Sequence, residues 1–133
     1  MVDTTPDGDT MFEHAACALM TTAADGLVLR ANGTACNWLG YSRDELVGKI
    51  RLRDLLPVGA RLFFNTHCQP ILQVQGSVGQ LQMEIRDSGG QRMPVLVNIV
   101  RRTVDGQTFD EWSLVAMNER RSYERELLSA RRT

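Results

Sequence analysis

Histidine is nearly absent from this chain of 133 residues, with His14 and His67 the only two, and cysteine is scarce, with Cys17, Cys36 and Cys68. Three is an odd number and no two form a CxxC pair, so free thiols in a reducing cytoplasm are expected. The shortage also limits chemistry. His67 and Cys68 are adjacent, which on a helix turns them about 100° apart, so they cannot face each other as base and nucleophile. His14 and Cys17 share a helical face, but no acid follows in a suitable relation. His14, Cys17, His67 and Cys68 are types that zinc accepts, and a fold could bring the two pairs together, but the sequence does not show the geometry such a site needs. Neither an enzyme nor a metal site is expected.

Long apolar runs are missing too. None approaches the ~20 residues that span a bilayer, and Met1-Val2-Asp3 opens a polar, acidic leader rather than a signal peptide. The net charge of −1 leaves no electrostatic footprint for nucleic acid. The single basic cluster, Arg120 to Arg132, is interleaved with Glu124 and Glu126 and reads as a solvated helix. With 43% hydrophobic and 23% charged residues, the chain has the composition of one globular domain with one core.

What is present is strand pattern, concentrated between Gln80 and Val100. Leu81, Met83 and Ile85 alternate with Gln82, Glu84 and Arg86, the two-residue period of a strand with one buried face. Ser88-Gly89-Gly90 supplies a reversal. Val95, Leu96, Val97, Ile99 and Val100 then form a run interrupted only by Asn98, apolar on both faces and therefore covered on both. Asp105-Gly106 makes another turn before a third strand over about 108–117. By the pleat, Leu81, Met83, Ile85, Val95, Val97, Ile99, Trp112 and Leu114 share the inner face. They make either a closed apolar core or the wall of an apolar cavity for a small molecule.

The first half reads as shorter pieces. Met11 to Cys17 suits one or two helical turns, Ala18–Met20 and Leu27–Leu29 suit short strands, and Asp25-Gly26 a hairpin between them. Thr34 to Leu39 has helical spacing and stops at Gly40. Ser42-Arg43-Asp44-Glu45 has the form of a capping box, with Gly48 ending its short helix. Arg53 to Leu56 halts at Pro57. Arg61 to His67 is a further helix, expected to end at Pro70, with Ile71, Leu72 and Val74 leading into the meander.

In register, Asp25-Gly26, Asn32, Leu39-Gly40-Tyr41-Ser42 and Glu45-Leu46-Val47-Gly48-Lys49 resemble the front half of a PAS domain. Asp87-Ser88-Gly89-Gly90 before the long strand resembles the back half. The resemblance covers roughly residues 11–120. It implies an α+β fold, a five-stranded antiparallel sheet in the order 2-1-5-4-3 with short helices on one face, serving as a sensory input module of a bacterial signalling protein. The expected divisions are a frayed leader over 1–10, the sensor over 11–118 and a C-terminal signalling helix over 119–133. Family members often end in Asp-x-Thr-Glu-Arg. Here Ala116-Met117-Asn118-Glu119-Arg120 keeps only the last two, and Asn118 can still cap a helix.

The resemblance also makes the helix of Phe63 and His67 one wall of an internal pocket, with Trp38 and the inner strand residues as the rest of the lining. Some PAS domains similar in layout hold haem iron with a histidine from that helix, so His67 is either a structural residue or a haem ligand. No cofactor is the leading expectation and haem the alternative. Flavin is disfavoured: no GxNCRFLQ-like string occurs, Cys36 follows Asn-Gly-Thr-Ala, and the inner set holds no amide.

The outer face, with Leu96, Val100, Val115 and Met117, is too apolar for open water. Either the helix of Met11 and Phe12, a second subunit, or both should cover it, and a homodimer is expected. Tyr123, Leu127 and Ala130 fall at spacings of four and three. They form either a seam that pairs with a second copy or a helix folded back on the sheet. The resemblance to PAS domains implies an output domain after that helix: a histidine kinase, a diguanylate cyclase or a serine phosphatase.

Overall fold

Asp105 and Gly106 both take left-handed backbone, with φ of 50° and 78°, the geometry that turns one strand tightly into its antiparallel neighbour. A computed structural model describes residues 7–117; the expected C-terminal helix, with Tyr123 and Leu127, lies outside the described residues. In chain order the elements are α1 (Gly8–Glu13), β1 (Ala18–Ala23), β2 (Val28–Ala31), α2 (Gly33–Leu39) and α3 (Arg43–Leu46). A 3-10 turn (Leu52–Leu55), α4 (Val58–Phe63), a π-helical segment (Phe64–Cys68) and α5 (Gln69–Gln75) follow. The meander β3 (Ser77–Arg86), β4 (Arg92–Val104) and β5 (Gln107–Ala116) completes the fold. All five strands join in one antiparallel sheet in the expected order, β2-β1-β5-β4-β3.

Local chemistry sets most boundaries. The Ser42 hydroxyl accepts from the Glu45 N–H at 3.1 Å while Glu45 accepts from the Ser42 N–H at 3.0 Å, so the capping box starts α3. Those bonds hold the Glu45 carboxyl below its usual range. α1 begins at Gly8, with the Asp7 side chain accepting from Thr10, inside the stretch expected to be frayed.

One helix differs from the sequence expectation. Pro70 does not end it: α4, the π segment and α5 run on, and Ile71, Leu72 and Val74 are helical rather than the approach to a strand. The Gln69 N–H donates to the Phe64 carbonyl, five residues back, which widens the turn. Pro70 then sits in the first turn of α5, where its missing N–H is tolerated.

A bulge interrupts β3, whose register against β4 shifts between Val78 and Leu81. Gln80 adopts φ 57° there, and its N–H donates to the Asn98 Oδ1 at 3.0 Å. A side chain at position 79 would meet that same oxygen at 2.8 Å, so Gly79 leaves the room it needs. Asn98, the one polar interruption of β4, is therefore the pin of the bulge.

Candidate ligand cleft and outer sheet face

The pleat places Met83, Ile85, Val95, Val97, Ile99, Trp112 and Leu114 inside, all buried, with Leu81 partly buried against the same core. Facing them are Phe64, Cys68 and Leu72, spaced by four along the π and α5 segments. The Phe64 ring lies 5.3 Å from Trp112, centroid to centroid. Burial pushes the Cys68 thiol up from its ordinary pKa.

This settles where His67 points. It is exposed and stacks on Phe63 at 4.9 Å, and Phe63 itself is 39% exposed. Both were expected to line the interior. The register places them one residue off the buried row, on the outside of the helix, where Phe63 walls a surface groove with Gly59, Ala60 and Met83. The geometry does not fit a haem held from within by His67. Trp38 is partly buried against the core. Among the described residues no group of three His, Cys, Asp or Glu side chains gathers as a metal site.

At the polar end of the inner face there is free space. Arg101 on β4 and Asp110 on β5 are cross-strand partners. The Arg101 Nε donates to Asp110 Oδ1 at 2.7 Å and its Nη2 to Oδ2 at 3.0 Å. The same Nη2 donates to Gln69 Oε1 at 2.9 Å, tying the sheet to the start of α5. Asp110 is only 3% exposed, and its carboxylate raises the Arg101 pKa further above its ordinary value. Next along the sheet, the Trp112 Nε1–H donates to Thr22 Oγ1 at 3.1 Å, with Thr22 fully buried. Between Thr22, Phe64, Gln69, Asp110 and Trp112 a hollow of about 20 Å³ remains, bordered at its mouth by Ala24, Arg53 and Asn65.

Sequence reasoning missed Thr22, Gln69, Arg101 and Asp110. A signal was available: Asp110 keeps the same strand parity as Trp112 and Leu114, which is inward, and a buried carboxylate needs a cation.

On the other side of the sheet, Val100 and Val115 are 47% and 43% exposed, with Leu96 partly buried beside them. Leu96 and Val115 are direct cross-strand partners. Met117 is buried, at 7%, and so is not part of the open surface as expected. The named contacts of α1 lie at another end of the domain. Phe12 lies under the Arg30 guanidinium at 4.4 Å, and Glu13 holds Arg43 at 2.6 and 2.7 Å. Asn32, fully buried, donates to the Phe12 and Cys17 carbonyls at 2.9 and 3.0 Å and accepts from the Leu19 and Ala35 N–H groups. Met11 remains 63% exposed.

Three comparisons bear on this architecture. Among curated proteins, the phosphoserine phosphatase RsbP of Bacillus subtilis (strain 168) is 27% identical over 123 residues, which are 92% of this chain and 30% of that protein. A PAS domain from a two-component sensor histidine kinase superposes with a TM-score of 0.70 at 16% identity, over 81% of this chain and 91% of that one. The PAS domain of an HTR-like protein from Haloarcula marismortui gives 0.64 at 19%, over 81% and 87%. The PAS domain family model matches residues 16–117, so with this sheet order and these helices the chain belongs to the PAS domain family.

Proposed function

We propose that the chain is a non-enzymatic sensory input module that pairs with a second copy through the outer face of β4 and β5. It passes its state to an output domain joined beyond residue 117. One observation carries this reading: β4 and β5 bury their inner side chains while Leu96, Val100 and Val115 leave an apolar surface on the reverse. Adjacent residues of one strand serve both faces, so a repacking beside Val97 or Ile99 displaces Leu96 or Val100. A dimer seated on that surface would feel the change as a shift between two arrangements.

Among the output domains considered, a serine phosphatase is favoured by the match to RsbP, of which this chain spans about a third. A cytoplasmic setting suits three free cysteines. No helix among the described residues is long and apolar enough to cross a membrane.

Light scattering after size exclusion, across micromolar concentrations, tests the pairing. A dimer is expected for the wild-type chain and a monomer for the Val100→Asp, Val115→Asp variant. A wild-type chain that stays monomeric throughout, or a doubly substituted one that still pairs, overturns it.

A further inference from the structure

The continuous helix of α4, the π segment and α5 is apolar on two opposite sides. Phe64, Cys68 and Leu72, spaced by four, are buried against the sheet. Val58, Leu62, Thr66, Pro70 and Val74, also spaced by four and offset by two from that row, are all exposed. For Val58, Leu62 and Val74 the exposure is 78, 62 and 86%. The Thr66 hydroxyl donates to the Leu62 carbonyl at 2.8 Å, so its polar atom is spent on the helix and its methyl remains for a neighbour. In a regular helix a spacing of four drifts by about 40° per step, and the wider π turn offsets part of that drift. The outcome is one ridge along residues 58–74.

An exposed helix face of this length is ordinarily charged. Here no Asp or Glu occurs between Asp54 and Glu84, and Arg61 is the single Lys or Arg of that stretch. Glu84 and Arg92, in the groove beside Phe63, pair with each other at 3.6 Å.

Area and charge choose what covers the ridge. Val58, Leu62 and Val74 expose on the order of 400 Å² between them, about half of the ~800 Å² that each partner gives a standard interface. That is too little to hold a second copy of the chain on this face alone, and it matches the footprint of one helix. A ridge of residues four apart packs into the corresponding groove of another helix. A membrane surface calls for several lysines and arginines around the apolar face, and this stretch has one. The one charge of the helix itself is that of Arg61, so acid rather than base belongs beside the stripe of the arriving helix.

We infer that the outer ridge of residues 58–74 is a docking site for a single amphipathic helix of a partner protein, its apolar stripe bordered by acidic residues. The ridge is separate from the outer face of β4 and β5, and the inference goes beyond the pairing proposed above. The same helix buries Phe64, Cys68 and Leu72 and ties Gln69 to Arg101 at 2.9 Å, so a helix docked outside bears on the inner wall and on β4.

The test titrates the full chain with two synthetic peptides, each stapled as a helix and carrying the same leucine stripe. Glutamates border the stripe in one and lysines in the other. Vesicles of phosphatidylglycerol and phosphatidylcholine form the third arm. The readout is the backbone amide signals of Leu62, Thr66 and Val74 in a proton–nitrogen correlation spectrum. The glutamate peptide should shift these signals along a saturating curve, with a midpoint at least tenfold below that of the lysine peptide. Leu62→Gln and Val74→Gln, both at exposed positions, should each raise that midpoint about tenfold. Vesicles should leave the signals in place. Equal midpoints for the two peptides, or midpoints indifferent to both substitutions, would overturn the inference. Broadening by vesicles would overturn it in favour of a membrane, and shifts that grow with the concentration of the chain alone in favour of a second copy. Signals displaced in the free protein by Leu127→Gln would show the chain's own C-terminal segment on the ridge, and would overturn it too. The signals are read on this helix and the pairing at Val100 and Val115, so the two tests fail independently.

Discussion

Arg101 and Asp110 face each other across β4 and β5, and one guanidinium grips both oxygens of a carboxylate that is almost fully buried. Removing one partner leaves an uncompensated buried charge or an empty cradle, whereas removing both leaves neither. Arg101→Leu should therefore destabilise the fold by about 3 kcal/mol or more. The double variant Arg101→Leu, Asp110→Leu should lie within about 1 kcal/mol of the wild type. Urea denaturation of the four proteins in this cycle checks it, and additive losses would show that the pair is not a closed unit.

Asn32 is the junction of the N-terminal end. Its amide group donates twice and its oxygen accepts twice, so every bonding site of the side chain is used in a fully buried position. Asn32→Asp keeps the shape, loses both donors and sets a carboxylate against the Phe12 and Cys17 carbonyls. A loss of about 3 kcal/mol is expected at neutral pH. Amide hydrogen exchange should show α1 released first, because Asn32 is what holds the Phe12 carbonyl.

The helix register gives a sharper contrast. Phe64 is buried against Trp112, whereas His67 stands outside on Phe63. Phe64→Ala should destabilise by about 3 kcal/mol, and His67→Ala should change stability by less than about 0.5 kcal/mol. Thermal denaturation of both variants separates them. A large effect at His67 would mean that the buried row is misplaced by one residue.

That contrast also shows what was legible in the sequence. The strand alternation from Leu81 to Ile85 and again at Val95, Val97 and Ile99 fixed which side chains go inside, because a period of two leaves only one register that buries them. The capping box at Ser42 and the turn at Asp105-Gly106 are local, and each appears where its residues stand. The helix around His67 was harder. A π segment widens the turn and lets Pro70 sit inside a helix instead of ending one. The polar cleft was harder still. Gln69 and Arg101 are far apart in sequence and meet only because α5 is laid against the end of β4.

The central claim is that the two faces of β4 and β5 are coupled, and sedimentation equilibrium measures that directly. Ile99→Val removes one buried methyl beside Val100 without touching the outer surface. The dissociation constant of the dimer should shift at least threefold relative to the wild type, while Val74→Thr, on the exposed side of α5, leaves it unchanged. Identical constants for wild type and Ile99→Val, or a chain with no measurable self-association, would contradict the coupling.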